Sequence, residues 1–98
     1  MDKFHAKKIL QESRKEIDQI DRNIIELISK RTDLATKILD AKIALDMNIE
    51  DNEREKIIHE KASKAAKELQ IDEYMLNQII KLLTDINKQK QEEILKRK

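Results

Sequence analysis

The sequence predicts an all-α fold: three helices per chain, one very long, joined with a second copy into an intertwined antiparallel homodimer. Three observations carry this. The chain of 98 residues has neither glycine nor proline, the two strongest breakers of regular structure. Its commonest residues are Ile, Lys, Glu and Leu, mostly strong helix formers. Its apolar positions recur in alternating steps of three and four, the period of one helix face.

The first helix is expected over about 7–45. Ile17, Ile20, Ile24, Leu27, Arg31, Leu34, Ile38, Ala41 and Leu45 form one seam of the coiled-coil kind. Asp46, Met47, Asn48, Ile49 and Glu50 interrupt it, and with no glycine available the turn must rely on Asp and Asn. Asp51 then reads as the N-cap of a second helix over about 52–69, with Glu53 and Glu55 in its first turn. Asp72 reads as the N-cap of a third helix over about 73–96, which ends in a fraying Lys96, Arg97 and Lys98.

Length decides the assembly. At about 1.5 Å per residue the first helix spans roughly 55–60 Å, the second about 27 Å and the third about 35–40 Å. Two shorter helices leave much of the long seam uncovered, and a second copy packed antiparallel would cover it. A single domain over 1–98 with a modest core also gains from oligomerisation.

Composition narrows the function. There are 21 basic and 20 acidic residues, a balance too even for a general nucleic-acid surface. With no cysteine, disulfides and thiolate metal sites are excluded. The first ten residues are charged throughout and lack the apolar segment of a signal peptide, and no apolar run approaches membrane-spanning length. The expected setting is cytoplasmic, with neither membrane nor nucleic acid as partner.

The informative positions are polar residues where the pattern expects apolar ones. Arg31 sits on the seam between Leu27 and Leu34, where a buried guanidinium needs a partner, so something anionic is expected to meet it. Lys42 follows eleven residues later, about 20° away around the helix axis, so both cations project in nearly one direction. Arg54 starts the apolar stripe of the second helix, with Glu55 pointing sideways from it. On the third helix the stripe Ile80 and Leu83 turns into Asn87 and Gln91, four apart, before Ile94. Singly, each has a plainer reading: a register-setting Arg31, a snorkelling Lys42, first-turn electrostatics at Arg54, a solvated edge at Asn87 and Gln91. Together they describe cations and amides converging from three helices on a polar pocket. His59 and Glu60 begin like a zinc-protease helix but lack its second histidine, so His59 reads as part of a solvated face. Tyr74 reads as core or interface. No phosphate loop, Ser/His/Asp grouping or metal-ligand set is present.

The spacing of Arg14, Arg31, Lys42, Asp51, Arg54, Glu55, Asn87 and Gln91 resembles that of the all-helical class of chorismate mutases. The resemblance runs from about 12 to 91. It includes Arg14-Lys15-Glu16-Ile17-Asp18 with Asp21, Lys30-Arg31-Thr32-Asp33-Leu34-Ala35, Ala41-Lys42, Asp51-Asn52-Glu53-Arg54-Glu55, and Ile71-Asp72. It implies a domain-swapped dimer with two sites, each built from both chains, and no cofactor or metal. By this resemblance Arg14 reaches the partner's site and binds a substrate carboxylate, and Arg31 binds a carboxylate in its own. Lys42 donates to the ether oxygen and a carboxylate. Asp51, through its backbone, and Glu55 hold the substrate hydroxyl, and Arg54 supports the charge network. Gln91 donates to the ether oxygen. Asn87 departs from the pattern, since some members carry serine there, and is expected to tune carboxylate binding.

Such chemistry suits the residues. Chorismate is a dianion, which would explain paired cations inside a helical bundle. Its rearrangement to prephenate, in phenylalanine and tyrosine biosynthesis, is a pericyclic step that needs no nucleophile, base or metal. Two alternatives stay open at this level: an isochorismate–pyruvate lyase on the same fold, and a non-catalytic or engineered helical dimer scaffold, which the absence of glycine and proline would also suit.

Overall fold

The computed structural model describes residues 1–98, and every element in it is helical. Helix α1 is Lys3–Asp33, α2 is Ala35–Ala44, α3 is Asn52–Leu69 and α4 is Glu73–Arg97. Leu34, between α1 and α2, keeps right-handed helical dihedrals (φ −69°, ψ −13°), and its carbonyl accepts the Ile38 amide at 3.0 Å. The chain therefore has three helical stretches, the first of 42 residues with one irregularity at Leu34.

Residues 1–30 and 31–98 form two compact units. In the first, Asp2 caps α1 by accepting the His5 amide at 2.9 Å, and that bond holds its carboxyl below the usual range. No residue of α1 is buried. Phe4, Ile9, Leu10, Ile17, Ile20 and Ile24 all lie open on it.

In the second unit α4 packs against both α2 and α3. The buried apolar core is small: Ala35 and Leu39 from α2, Ala62 and Ala66 from α3. Alanines allow close approach of the helices. The buried residues of α4 itself are all polar: Thr84, Asn87 and Gln91.

Local chemistry sets the helix ends. Asp51 accepts the Arg54 amide at 3.1 Å, and Asp72 accepts the Met75 amide at 2.8 Å, as their side chains predict. The turns follow the expectation only in part. Asp46 adopts a positive φ of 54°, but the other left-handed residue is Gln70, φ 57°, at the end of α3. A left-handed residue with a Cβ costs about 1–2 kcal/mol. At Gln70 this turns the following amide, that of Ile71, back onto the Ala66 carbonyl at 2.9 Å and closes the helix. At the other end α4 runs to Arg97, and Lys98 Nζ lies 3.1 Å from Asp40 Oδ1.

Two further readings change. His59 is not simply on a solvated face; its Nδ1 lies 2.7 Å from Asn77 Oδ1, and Asn77 Nδ2 donates to Ser63 Oγ, a polar seam between α3 and α4. Tyr74 is 73% exposed, which removes the core alternative and leaves the interface one.

Candidate active site

A cavity of about 490 Å³ opens between α2, α3 and α4, within the range of small-molecule sites. Its walls come from the second unit alone. Leu34, Ile38, Ile49 and Ile58 supply apolar surface. Arg31, Lys42, Arg54 and Lys88 supply four cations, Asp51 and Glu55 two carboxylates, and Thr84, Asn87 and Gln91 neutral polar groups. Seven of the eight residues singled out from the sequence thus meet in one place. The eighth, Arg14, belongs to the first unit and is exposed there.

A directed hydrogen-bond relay runs along one wall. Lys42 Nζ donates to Gln91 Oε1 at 3.1 Å and to the Ile49 carbonyl at 2.6 Å. Gln91 Nε2 donates to Asn87 Oδ1 at 2.7 Å. Asn87 Nδ2 donates to the Arg31 carbonyl at 2.9 Å. Each bond fixes the amide that makes the next, so neither amide can turn over alone. Asn87 and Gln91, 8% and 3% exposed, are part of the interior and not of a solvated edge. Lys42 is likewise half-buried and bonded, neither free nor merely snorkelling.

Arg31 does not meet a protein anion. Its guanidinium donates to the Leu83 carbonyl at 2.7 Å. Burial, and then the nearby charge of Arg54, lower it from the usual guanidinium range. None of Arg31, Lys42 and Arg54 takes part in an ion pair within the chain. Three cations thus face a cavity without a carboxylate of the protein bound to any of them. That arrangement is costly alone and favours an anionic ligand.

Sequence reasoning missed Lys88 and Thr84. Lys88 Nζ lies 3.2 Å from Glu55 Oε1 and 3.0 and 3.3 Å from the two oxygens of Glu50. These contacts raise Lys88 above and lower Glu50 below their usual values. Thr84 Oγ1 and Glu55 Oε2 are buried without a hydrogen-bond partner. Positions 84, 88 and 91 share one helix face, which was a usable signal. No cluster of His, Asp and Glu could hold a metal ion, and no helix is long and apolar enough to cross a membrane.

Fold and cavity together define a class: an all-helical protein with an interhelical pocket lined by four cations, two carboxylates and neutral polar groups. The chain matches the chorismate mutase type II family over residues 13–92. It is 40% identical over 86 residues to a chorismate mutase of Methanocaldococcus jannaschii, covering 88% of this chain and 87% of that protein. Bifunctional chorismate mutase/prephenate dehydratases of Buchnera aphidicola are also similar. The one from subspecies Schizaphis graminum is 35% identical over 74% of this chain, and the one from subspecies Acyrthosiphon pisum is 31% identical over 86%. The matched segment spans only 19% and 22% of those two longer proteins. No solved structure matches the chain significantly. The chain belongs to the chorismate mutase type II family. With the family comes the activity, an isomerase reaction of aromatic amino-acid biosynthesis.

Proposed function

We propose that the cavity binds chorismate and that the chain acts as a cytoplasmic homodimer, each site completed by Arg14 of the partner subunit. The observation that carries the reading is the set of three unpaired cations, Arg31, Lys42 and Arg54, around one small-molecule cavity. A dianionic substrate is the counter-charge this set lacks.

In this reading Arg31 binds one carboxylate and Arg14 of the partner subunit the other. Asn87 has one amide hydrogen beyond that given to the Arg31 carbonyl, available to a carboxylate. Glu55 accepts the ring hydroxyl. The Asp51 carboxylate is engaged by the Arg54 amide, which supports a role for Asp51 through its backbone. Arg54 balances these carboxylates. The reaction breaks one C–O bond as one C–C bond forms within the same molecule, and no proton need move. The protein therefore has two tasks. It holds the enolpyruvyl arm over the ring, and it stabilises the charge that builds on the ether oxygen. Lys42 has a third N–H, and Gln91 a second amide N–H, beyond those bonded within the protein. The relay aims both before substrate arrives. No cofactor or metal enters the scheme.

The dimer is supported by α1, which buries none of its residues although its seam is strongly apolar. Such surface is normally covered.

The test is conversion of chorismate to prephenate by the purified protein, followed by ultraviolet absorbance with identification of the product. Lys42→Ala is expected to lower kcat by about 10²–10³, well beyond its effect on KM. An unchanged kcat, or release of pyruvate in place of prephenate, would overturn the scheme.

A further inference from the structure

We propose that Lys88 is a positioning residue for this reaction: it grips one oxygen of Glu55 so that the other faces the substrate hydroxyl. The inference rests on the reading of the cavity as the substrate site.

The two oxygens of Glu55 have different fates. Oε1 accepts from Lys88 Nζ at 3.2 Å, whereas Oε2 is buried without a partner. Both residues belong to the cavity wall. A carboxylate held at one oxygen by a fixed cation presents the other in a set direction, and when ionised it can only accept. A buried acceptor without a donor is unfavourable in the free protein, so a hydroxyl brought by the ligand satisfies a need already present.

Lys88 acts through Glu55 and not on the substrate directly. An ammonium has three N–H donors. The two oxygens of Glu50 and Oε1 of Glu55 all lie within 3.3 Å of Nζ. Asp85 adds a fourth, longer contact at 3.9 Å. The Lys88 and Glu55 side chains are only 21% and 24% exposed, so the pair is less screened than a surface bridge. Its charge has a second effect. A dianion entering beside Glu55 meets a carboxylate, and Lys88 offsets that repulsion from the far side. Glu50, 57% exposed and just before the cap of α3, is the outer member of the cluster.

The test is steady-state kinetics on the full chain, with circular dichroism and sedimentation to verify folding and assembly. Lys88→Met keeps the length and removes the charge. It is expected to raise KM for chorismate about tenfold, as expected for a weakened hydrogen bond to a charged group, while kcat changes less. Lys88→Arg should restore most of the loss. Lys81→Met, which removes the exposed Lys81–Asp85 pair on the same helix and leaves the Lys88–Glu55 pair, should stay within about twofold of wild type, a change of a few tenths of a kcal/mol. In a Glu55→Gln background Lys88→Met should add nothing, because the group it positions is gone. A folded Lys88→Met protein with wild-type KM, beside an impaired Glu55→Gln, overturns the proposal alone. So does an equal effect of Lys88→Met in both backgrounds. A silent Glu55→Gln would instead break the substrate-site reading, and the proposal with it.

Discussion

Gln91→Glu replaces one amide nitrogen by oxygen, and the relay sets the consequence. Gln91 Nε2 now donates to Asn87 Oδ1 at 2.7 Å. An ionised carboxylate there sets acceptor against acceptor at that distance. Asn87 cannot answer by turning its amide over, because its Nδ2 is held by the Arg31 carbonyl at 2.9 Å. The ionised variant thus loses both the Asn87 bond and the N–H meant for the ether oxygen. Leaving buried polar groups mismatched costs about 1–3 kcal/mol of stability. Losing one preorganised donor costs about 10²–10³ in rate, roughly 3–4 kcal/mol. Protonation restores one donor only, since the acid form has a single O–H, which can serve the ether oxygen or Asn87 Oδ1 but not both. Two influences oppose each other over where that proton is taken up. Burial of the position, 3% exposed, favours the neutral acid, while Lys42 Nζ, 3.1 Å from Oε1, favours the carboxylate. In either case the direction is the same: kcat of Gln91→Glu is low near neutrality and rises as the pH falls, where wild type has no matching gain. The assay is the rate of chorismate loss across the acid-to-neutral range with the fold monitored in parallel. A flat profile with undiminished activity at neutrality would show that Gln91 does not touch the reacting oxygen, and the relay would lose its catalytic meaning.

Three further outcomes are expected from the fold and charges. If α1 is covered by a second chain, the thermal midpoint must rise with protein concentration, and a concentration-independent folded monomer would refute the assembly. Arg14→Ala and Arg31→Ala chains should each be nearly inactive, yet refolded together they should regain activity, because one site of each heterodimer keeps both arginines; inactive verified heterodimers would place both arginines in one chain's site. Glu50, held below the usual carboxyl value near 4.5 first by its bond from Lys88, contributes stability that is present above that value and lost as the pH falls through its lower folded value. Thermal melts of wild type should therefore fall more steeply in acid than those of Glu50→Gln, and parallel curves would remove Glu50 from the account.

Much of the site was legible because helical geometry is local. Arg31 and Lys42 both reach the cavity, as an offset of about 20° requires. Asn87 and Gln91, one turn apart, hydrogen-bond as the spacing suggests. Other placements depend on more than local spacing. Glu55 points sideways from Arg54 on a helical wheel, yet both line the cavity, because the cavity sits at the first turn of α3 and is wide enough to span both directions. Within the chain Arg31 bonds the Leu83 carbonyl, a partner 52 residues away that no local pattern names. His59 finds Asn77, eighteen residues away on the next helix.

By itself the sequence determined what depends on neighbours within a turn or two: the helices, the caps at Asp51 and Asp72, the break near Asp46 and the stripe on which each polar residue lies. Only the tertiary structure decided which stripes face one another. Lys88 meets Glu50 and Glu55 across 38 and 33 residues of chain. Lys42 meets Gln91 across 49. A helical repeat sets the angle of a side chain about its own axis, but not the rotation of one helix against the next. That rotation is set by packing, here the close fit of Ala35, Leu39, Ala62 and Ala66, and it turns scattered cations and amides into one pocket.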